Sequence, residues 1–150
     1  KLVVTYPSPK EERLILDRMA NTQNNLTVDP VMNPADIKTA RLLVDQIFMD
    51  DRMKDYIVDL VISTRDPKKH KVPIEGLLTY GCSPRATIAL TLAAKAKAFL
   101  DGRGYTVPQD VKDVAPNVLR HRLGLSYEAE AVEKTSDDIV RTLLDHVPVP

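Results

Sequence analysis

The sequence predicts a mostly α-helical fold, a helical bundle with a small β-ribbon. Apolar residues recur at helical spacing over most of the chain. Several of the eleven prolines follow a small polar residue. This pattern is typical of a helix start, because proline at the first helical position gives up an amide that has no partner there. Few segments show the alternation expected of strands.

The first two helices begin with clear capping signals. The first starts at Ser8-Pro9, where Glu11 is placed for a capping box, and extends to about Ala20. The second starts at Asn33-Pro34. Its apolar face is continuous at helical spacing: Ile37, Ala40, Leu43, Val44, Ile47 and Phe48.

The middle of the chain predicts two helices separated by a loop. Residues 51–64 are predicted to form the first helix. Residues 66–80 are predicted to form a loop with a short turn of structure, and this loop contains the basic cluster 68–71. The second helix starts at Ser83-Pro84, with Ser83 as its N-cap, and stops at Gly102. Alanines along it allow a close approach to a neighbouring helix.

The last part predicts two more helices and a little extended structure. One helix begins at Val107-Pro108 with a poor cap, and we expect Pro116 to interrupt it. The last is capped by Thr135 or Ser136. The extended candidates are residues 2–5, 105–107 and 125–129.

Composition indicates an ordinary globular chain. It has 150 residues, of which 43% are hydrophobic, and its 21 basic and 21 acidic residues cancel. This balance removes the bulk electrostatic argument for a nucleic-acid partner. No apolar run is long enough to predict a membrane span. The lone Cys82 cannot form an internal disulfide and favours a reduced, cytoplasmic location.

No complete catalytic constellation is present. The three histidines are scattered, so no metal site is predicted, and capping accounts for Ser83. Neither a phosphate-binding loop motif nor a dinucleotide-binding glycine motif occurs. We therefore expect this chain alone to be non-catalytic.

Arg85 is the candidate binding residue. It lies in the first turn of its helix, where the helix dipole already concentrates positive charge. Two interpretations are open from the residues alone: an arginine extended into solvent, or one that binds a phosphate.

A longer pattern resembles the C-terminal lid subdomain of MoxR-type AAA+ ATPases. The segments that carry the resemblance cover nearly the whole chain: Tyr6-Pro7-Ser8, Glu11, Glu12, Thr64-Arg65, Gly81-Cys82-Ser83-Pro84-Arg85-Ala86, Gly102-Arg103, Tyr105 to Val111 and Leu119 to Leu123. Cys82 replaces the usual alanine, and Val107 replaces a frequent capping threonine.

The resemblance implies a site and its cofactors. Arg85 would be the sensor-2 arginine, which reaches the γ-phosphate of ATP. The full-length protein would bind ATP and Mg²⁺ and hydrolyse ATP, with the phosphate loop and the metal-binding acidic residues in a preceding ATPase core.

The resemblance also implies domain organisation and partners. Residues 1–7 would be the end of a strand and a linker from the missing core, 8–147 the helical lid, and 148–150 a tail. Partners would be that core, further copies in a homo-oligomeric ring, and a protein with a von Willebrand factor A domain, in a chaperone-like maturation. Two alternatives stay open: a helical DNA-binding or adaptor module, and the lid of a magnesium-chelatase-like AAA+ subunit.

Overall fold

The computed structural model describes residues 1–22 and 27–150, and it confirms the predicted fold class. In these ranges the helices are α1 (Pro9–Met19), α2 (Pro34–Gln46), α3 (Asp51–Ser63), α4 (Pro84–Leu100), α5 (Pro108–Leu119), α6 (Tyr127–Ala131) and α7 (Ser136–His146). Strands β1 (Leu78–Tyr80) and β2 (Gly124–Leu125) pair antiparallel, with Leu78 opposite Leu125.

Side-chain caps begin most of the long helices. Ser8 and Asn33 complete capping boxes at the starts of α1 and α2, as predicted. Thr135, rather than Ser136, caps α7. The α3 cap is Asp50, whose carboxylate accepts a hydrogen bond from the Met53 amide at 2.8 Å.

The core is built by α3, α4, α5 and α7. These helices supply its largest fully buried side chains, Ile57, Leu60, Val61, Leu90, Val111, Leu119, Ile139, Val140 and Leu143. Helices α1 and α2 bury no residue completely. The packing of α4 against α5 is the most extensive, because the alanines of α4 let the two backbones approach.

Two connections cross beside this core. The segment between α2 and α3 meets the segment between α4 and α5 in a parallel bridge of Phe48 and Tyr105. The Phe48 amide donates to the Gly104 carbonyl at 2.9 Å, and the Thr106 amide donates to the Phe48 carbonyl at 3.0 Å. Val107 has the expected extended backbone, but strand pairing in the 105–107 segment is limited to the single bridge at Tyr105.

The predicted strands are largely wrong. Residues 2–5 form no strand. In the 125–129 segment only residue 125 lies in a strand, because Ser126 caps α6, accepting from the Ala129 amide at 3.2 Å. The short turn predicted within 66–80 is present as a 3₁₀ turn over Pro67–His70, but the strand β1 in the same segment was not predicted.

Two helix details also differ from expectation. Pro116 does not interrupt α5, which continues to Leu119 and then into a 3₁₀ turn over Arg120–Arg122. A buried face that includes Ala115 and Leu119 outweighs the one lost hydrogen bond. Ser83 occupies the N-cap position of α4, but its side chain makes no capping hydrogen bond.

Candidate functional site

Arg85 lies in the first turn of α4 and is exposed. Its neighbour Ala86 is completely buried, as is Leu90 one turn later, so the core contacts of α4 begin directly after the arginine. Within the described residues Arg85 makes no hydrogen bond and no ion pair. The guanidinium is therefore available to a ligand or to another part of the protein.

The turn that carries Arg85 is fixed to the end of α3 through Thr64. The Cys82 amide donates to Thr64 Oγ1 at 2.8 Å, and that hydroxyl donates to the Val61 carbonyl at 2.7 Å. Gly81 lies directly against Thr64, because a Cβ at position 81 would come within 2.4 Å of the Thr64 carbonyl oxygen. Only glycine permits this close approach.

Cys82 is buried beneath the same turn. It has no exposed surface, and burial raises the pKa of its thiol to about 11, although the nearby Arg122 and Arg65 cations act in the opposite direction. The thiol is therefore protonated at neutral pH and fills space as a small apolar group. A cysteine can therefore stand at this position, where the resemblance implies an alanine.

The first turn of α4 is electrostatically unlike those of α1, α2, α3 and α7. Each of those four helices has a side-chain cap and at least one acidic residue in its first turn. Helix α4 has neither, and it carries Arg85 instead. The positive end of the helix dipole and the guanidinium together favour an anion.

An ion pair between Arg103 and Asp110 fixes the segment that follows the other end of α4. The Arg103 guanidinium contacts both carboxylate oxygens of Asp110, and Asp110 accepts from the Val107 amide at 2.8 Å. Burial alone would raise the pKa of Asp110, but the bonds from Arg103 and Val107 hold it below its usual value. Asp110 thus caps α5 in place of the apolar Val107.

The basic cluster 68–71 is mostly neutralised. Lys68 pairs with Glu75 at 2.8 Å, and Lys69 pairs with Asp59 at 2.5 Å. The cluster borders a cavity of about 310 Å³, whose wall also includes Arg65. The solvated-loop interpretation of these lysines therefore fits the ion pairs.

Thr64 and Gly81 were named from the sequence only as parts of the motifs that carry the resemblance, and their contact beneath the turn before Arg85 was not predicted. Thr64 and Gly81 lie 17 positions apart, so no local pattern relates them. One local signal could have indicated the role of Asp110: it is an acidic residue at the third position of a helix whose N-cap, Val107, is apolar.

Comparison with known proteins agrees with the geometry. Residues 74–143 match the AAA lid domain family. The whole chain is 35% identical to 40% of Chaperone MoxR1 of Mycobacterium tuberculosis. The chain carries an AAA lid domain of the MoxR type.

Further similarities extend this assignment. Protein MoxR of Paracoccus denitrificans is 36% identical over an alignment of 107 residues that covers 65% of this chain and 31% of that protein. A crystal structure from Cytophaga hutchinsonii, described as that of an ATPase, superposes with a TM-score of 0.91 at 33% identity, covering 98% of this chain and 45% of that one. The MoxR-type lid thus spans less than half the length of these relatives.

The described part of the lid contains neither a membrane-spanning helix nor a cluster of metal-binding side chains. No helix there has the length and apolar character needed to cross a membrane. No group of three or more metal-binding side chains occurs in residues 1–22 and 27–150.

Proposed function

We propose that this chain is the sensor-2 lid of an ATP-hydrolysing MoxR protein, and that Arg85 contacts the γ-phosphate of ATP. One observation carries the proposal. Arg85 is exposed and without a partner in the described residues, yet the turn before it is fixed by Thr64 and Gly81. A preorganised cation on a rigid support is suited to bind a charge that develops during a reaction.

The chemistry would be electrostatic. In phosphoryl transfer the developing charge is spread over the oxygens of the transferred group, and an arginine stabilises it without forming a bond. The planar guanidinium can donate two hydrogen bonds to one phosphate. Because α4 is packed into the core from Ala86 onward, movement of Arg85 toward the phosphate would move the whole lid.

The residues of this chain suit the phosphate end of ATP. The Arg85 guanidinium supplies donors, and the first turn of α4 contains no competing carboxylate. ATP supplies the phosphoryl group that is transferred to water. We expect Mg²⁺ to be held by acidic residues of the preceding core, which is also expected to carry the phosphate loop.

The wider assembly follows from the same family. We propose that the full-length protein forms a homo-oligomeric ring in the cytoplasm and acts as a chaperone in the maturation of partner proteins, including ones with von Willebrand factor A domains. A relative described as Chaperone MoxR1 supports the chaperone role.

The rival interpretations have less support. A DNA-binding module would need a helix rich in groups that read base edges, but α4 is apolar and alanine-rich. Two MoxR proteins are similar to this chain, one over its whole length and one over 65% of it. These similarities favour the MoxR-type lid over the lid of a magnesium-chelatase-like subunit.

The test is steady-state ATP hydrolysis by the full-length protein. Arg85→Ala is expected to lower kcat by on the order of 10²-fold, and Arg85→Lys to recover little of it. Arg41→Ala is the matched control, because Arg41 is also an exposed helical arginine without a partner in the described residues. Equal turnover by the Arg85→Ala and Arg41→Ala proteins would overturn the proposal.

The isolated 150-residue chain provides a second test. We expect it to show no ATP hydrolysis, because the phosphate-cradling amides and the Mg²⁺ ligands belong to the core. Robust turnover by the purified chain, retained after a further chromatographic step, would contradict its assignment as a lid.

A further inference from the structure

The hydrogen bond between Thr64 and Cys82, here called the Thr64 anchor, brings a second arginine to the same end of the lid as Arg85. Arg65 follows Thr64 directly, at the point where α3 ends. Its backbone is ordered by a 2.8 Å hydrogen bond from its amide to the Ile62 carbonyl. Its side chain is exposed and makes no hydrogen bond or ion pair within the described residues.

The distance between the two arginines is limited by the anchor. The Cys82 amide lies 2.8 Å from Thr64 Oγ1. Arg65 is the residue after Thr64, and Arg85 is three residues after Cys82. Arg65 is also close enough to Cys82 to act electrostatically on the thiol. Two long, exposed side chains on either side of this hydrogen bond can reach one polyanionic ligand.

The other charged groups of this region are largely occupied. Lys68 is paired with Glu75, and the Arg122 guanidinium donates to the Val118 carbonyl at 2.8 Å and contacts His121. Asp66 adjoins Arg65 in sequence, but no ion pair joins them. An arginine beside a carboxylate with which it does not pair retains its donors for another anion.

We propose that Arg65 is a second phosphate-contacting residue, which binds the polyphosphate of the nucleotide together with Arg85. This inference rests on the proposed function. Because Arg65 directly follows the C-cap of α3 and Arg85 lies in the first turn of α4, a polyphosphate held by both would connect the ends of two helices. Arg65 would contribute to ground-state binding, whereas Arg85 would act mainly on the transition state.

The experiment measures ATP hydrolysis by full-length Arg65→Ala, with Arg85→Ala and the Arg41→Ala control in parallel. Arg65→Ala is expected to raise the KM for ATP about tenfold and to change kcat by less than about threefold. Arg65→Lys keeps the charge and is expected to restore KM to within about threefold of wild type. Arg65→Gln serves if the alanine variant folds poorly.

Competitive inhibitors separate a phosphate contact from a general disturbance. The inhibition constant of inorganic triphosphate is expected to rise about tenfold in Arg65→Ala, as KM does, while that of adenosine stays unchanged. A KM within twofold of wild type would overturn the inference, as would an equal weakening of adenosine. If Arg85→Ala lowers turnover while Arg65→Ala changes nothing, this inference fails and the proposed function stands. If Arg85→Ala has no effect, both fail.

Discussion

Gly81 packs against Thr64 so closely that a Cβ at position 81 would lie 2.4 Å from the Thr64 carbonyl oxygen. Beside this contact, the Cys82 amide donates to the Thr64 hydroxyl at 2.8 Å. Through these two contacts, Gly81 and Cys82 are held against Thr64 at the end of α3. The contacts therefore fix the position at which α4 begins. They therefore fix the position of Arg85.

Gly81→Ala is expected to destabilise the chain by about 1–3 kcal/mol, because the added methyl group forces the turn away from Thr64. Gly104→Ala is the matched control: a Cβ there meets nothing within 4 Å, so a change below about 0.5 kcal/mol is expected. Urea unfolding followed by circular dichroism measures both. Equal stability of the two variants would show that the close contact is unimportant.

Asp110→Asn is expected to destabilise the chain at pH 7 by about 2–4 kcal/mol, because it leaves the partly buried Arg103 without its carboxylate. The pKa of Asp110 is lower folded than unfolded, so the carboxylate stabilises the fold above its unfolded pKa of about 3.9. That contribution is lost as the pH falls below about 4 and through the folded pKa.

The pH dependence distinguishes this pair from simple packing. The stability difference between wild type and Asp110→Asn should be constant from pH 6 to 8 and shrink below about pH 4. Urea titrations at each pH measure it. A difference that stays the same down to pH 2.5 would contradict an electrostatic role for Asp110.

Cys82 is expected to resist alkylation in the native chain. It has no exposed surface and a pKa of about 11, so the reactive thiolate is both rare and inaccessible at pH 8. Mass spectrometry after iodoacetamide treatment should find no adduct in the folded protein and one adduct in 6 M urea. Rapid native modification would show that the turn opens readily.

The helix starts could be predicted from the sequence because their signals are local. Ser8, Asn33 and Thr135 indicate helix starts because each cap side chain accepts a hydrogen bond from an amide only a few residues away. The placement of Arg85 in the first turn of a helix also follows from a local signal, the Ser83-Pro84 start. The expected cap at Ser83 failed because its hydroxyl does not accept from α4.

What the sequence did not predict depends on distant pairs. Strand β1 is short and becomes a strand only because Leu78 meets Leu125, 47 residues later. Ser126 directs the following residues into α6, although their alternation favoured a strand. The bond of Thr64 to Cys82 likewise spans 18 residues, and no periodicity reveals it.

The central claim is that Arg85 serves a ligand and not the fold. The most direct test measures two quantities on one variant, the melting temperature of the isolated chain and the turnover of the full-length protein per folded subunit. Arg85→Ala should leave the melting temperature unchanged or slightly raised, since it removes a cation from the positive end of the α4 dipole. It should lower turnover on the order of 10²-fold. A melting temperature lowered by several degrees with normal turnover would contradict the account.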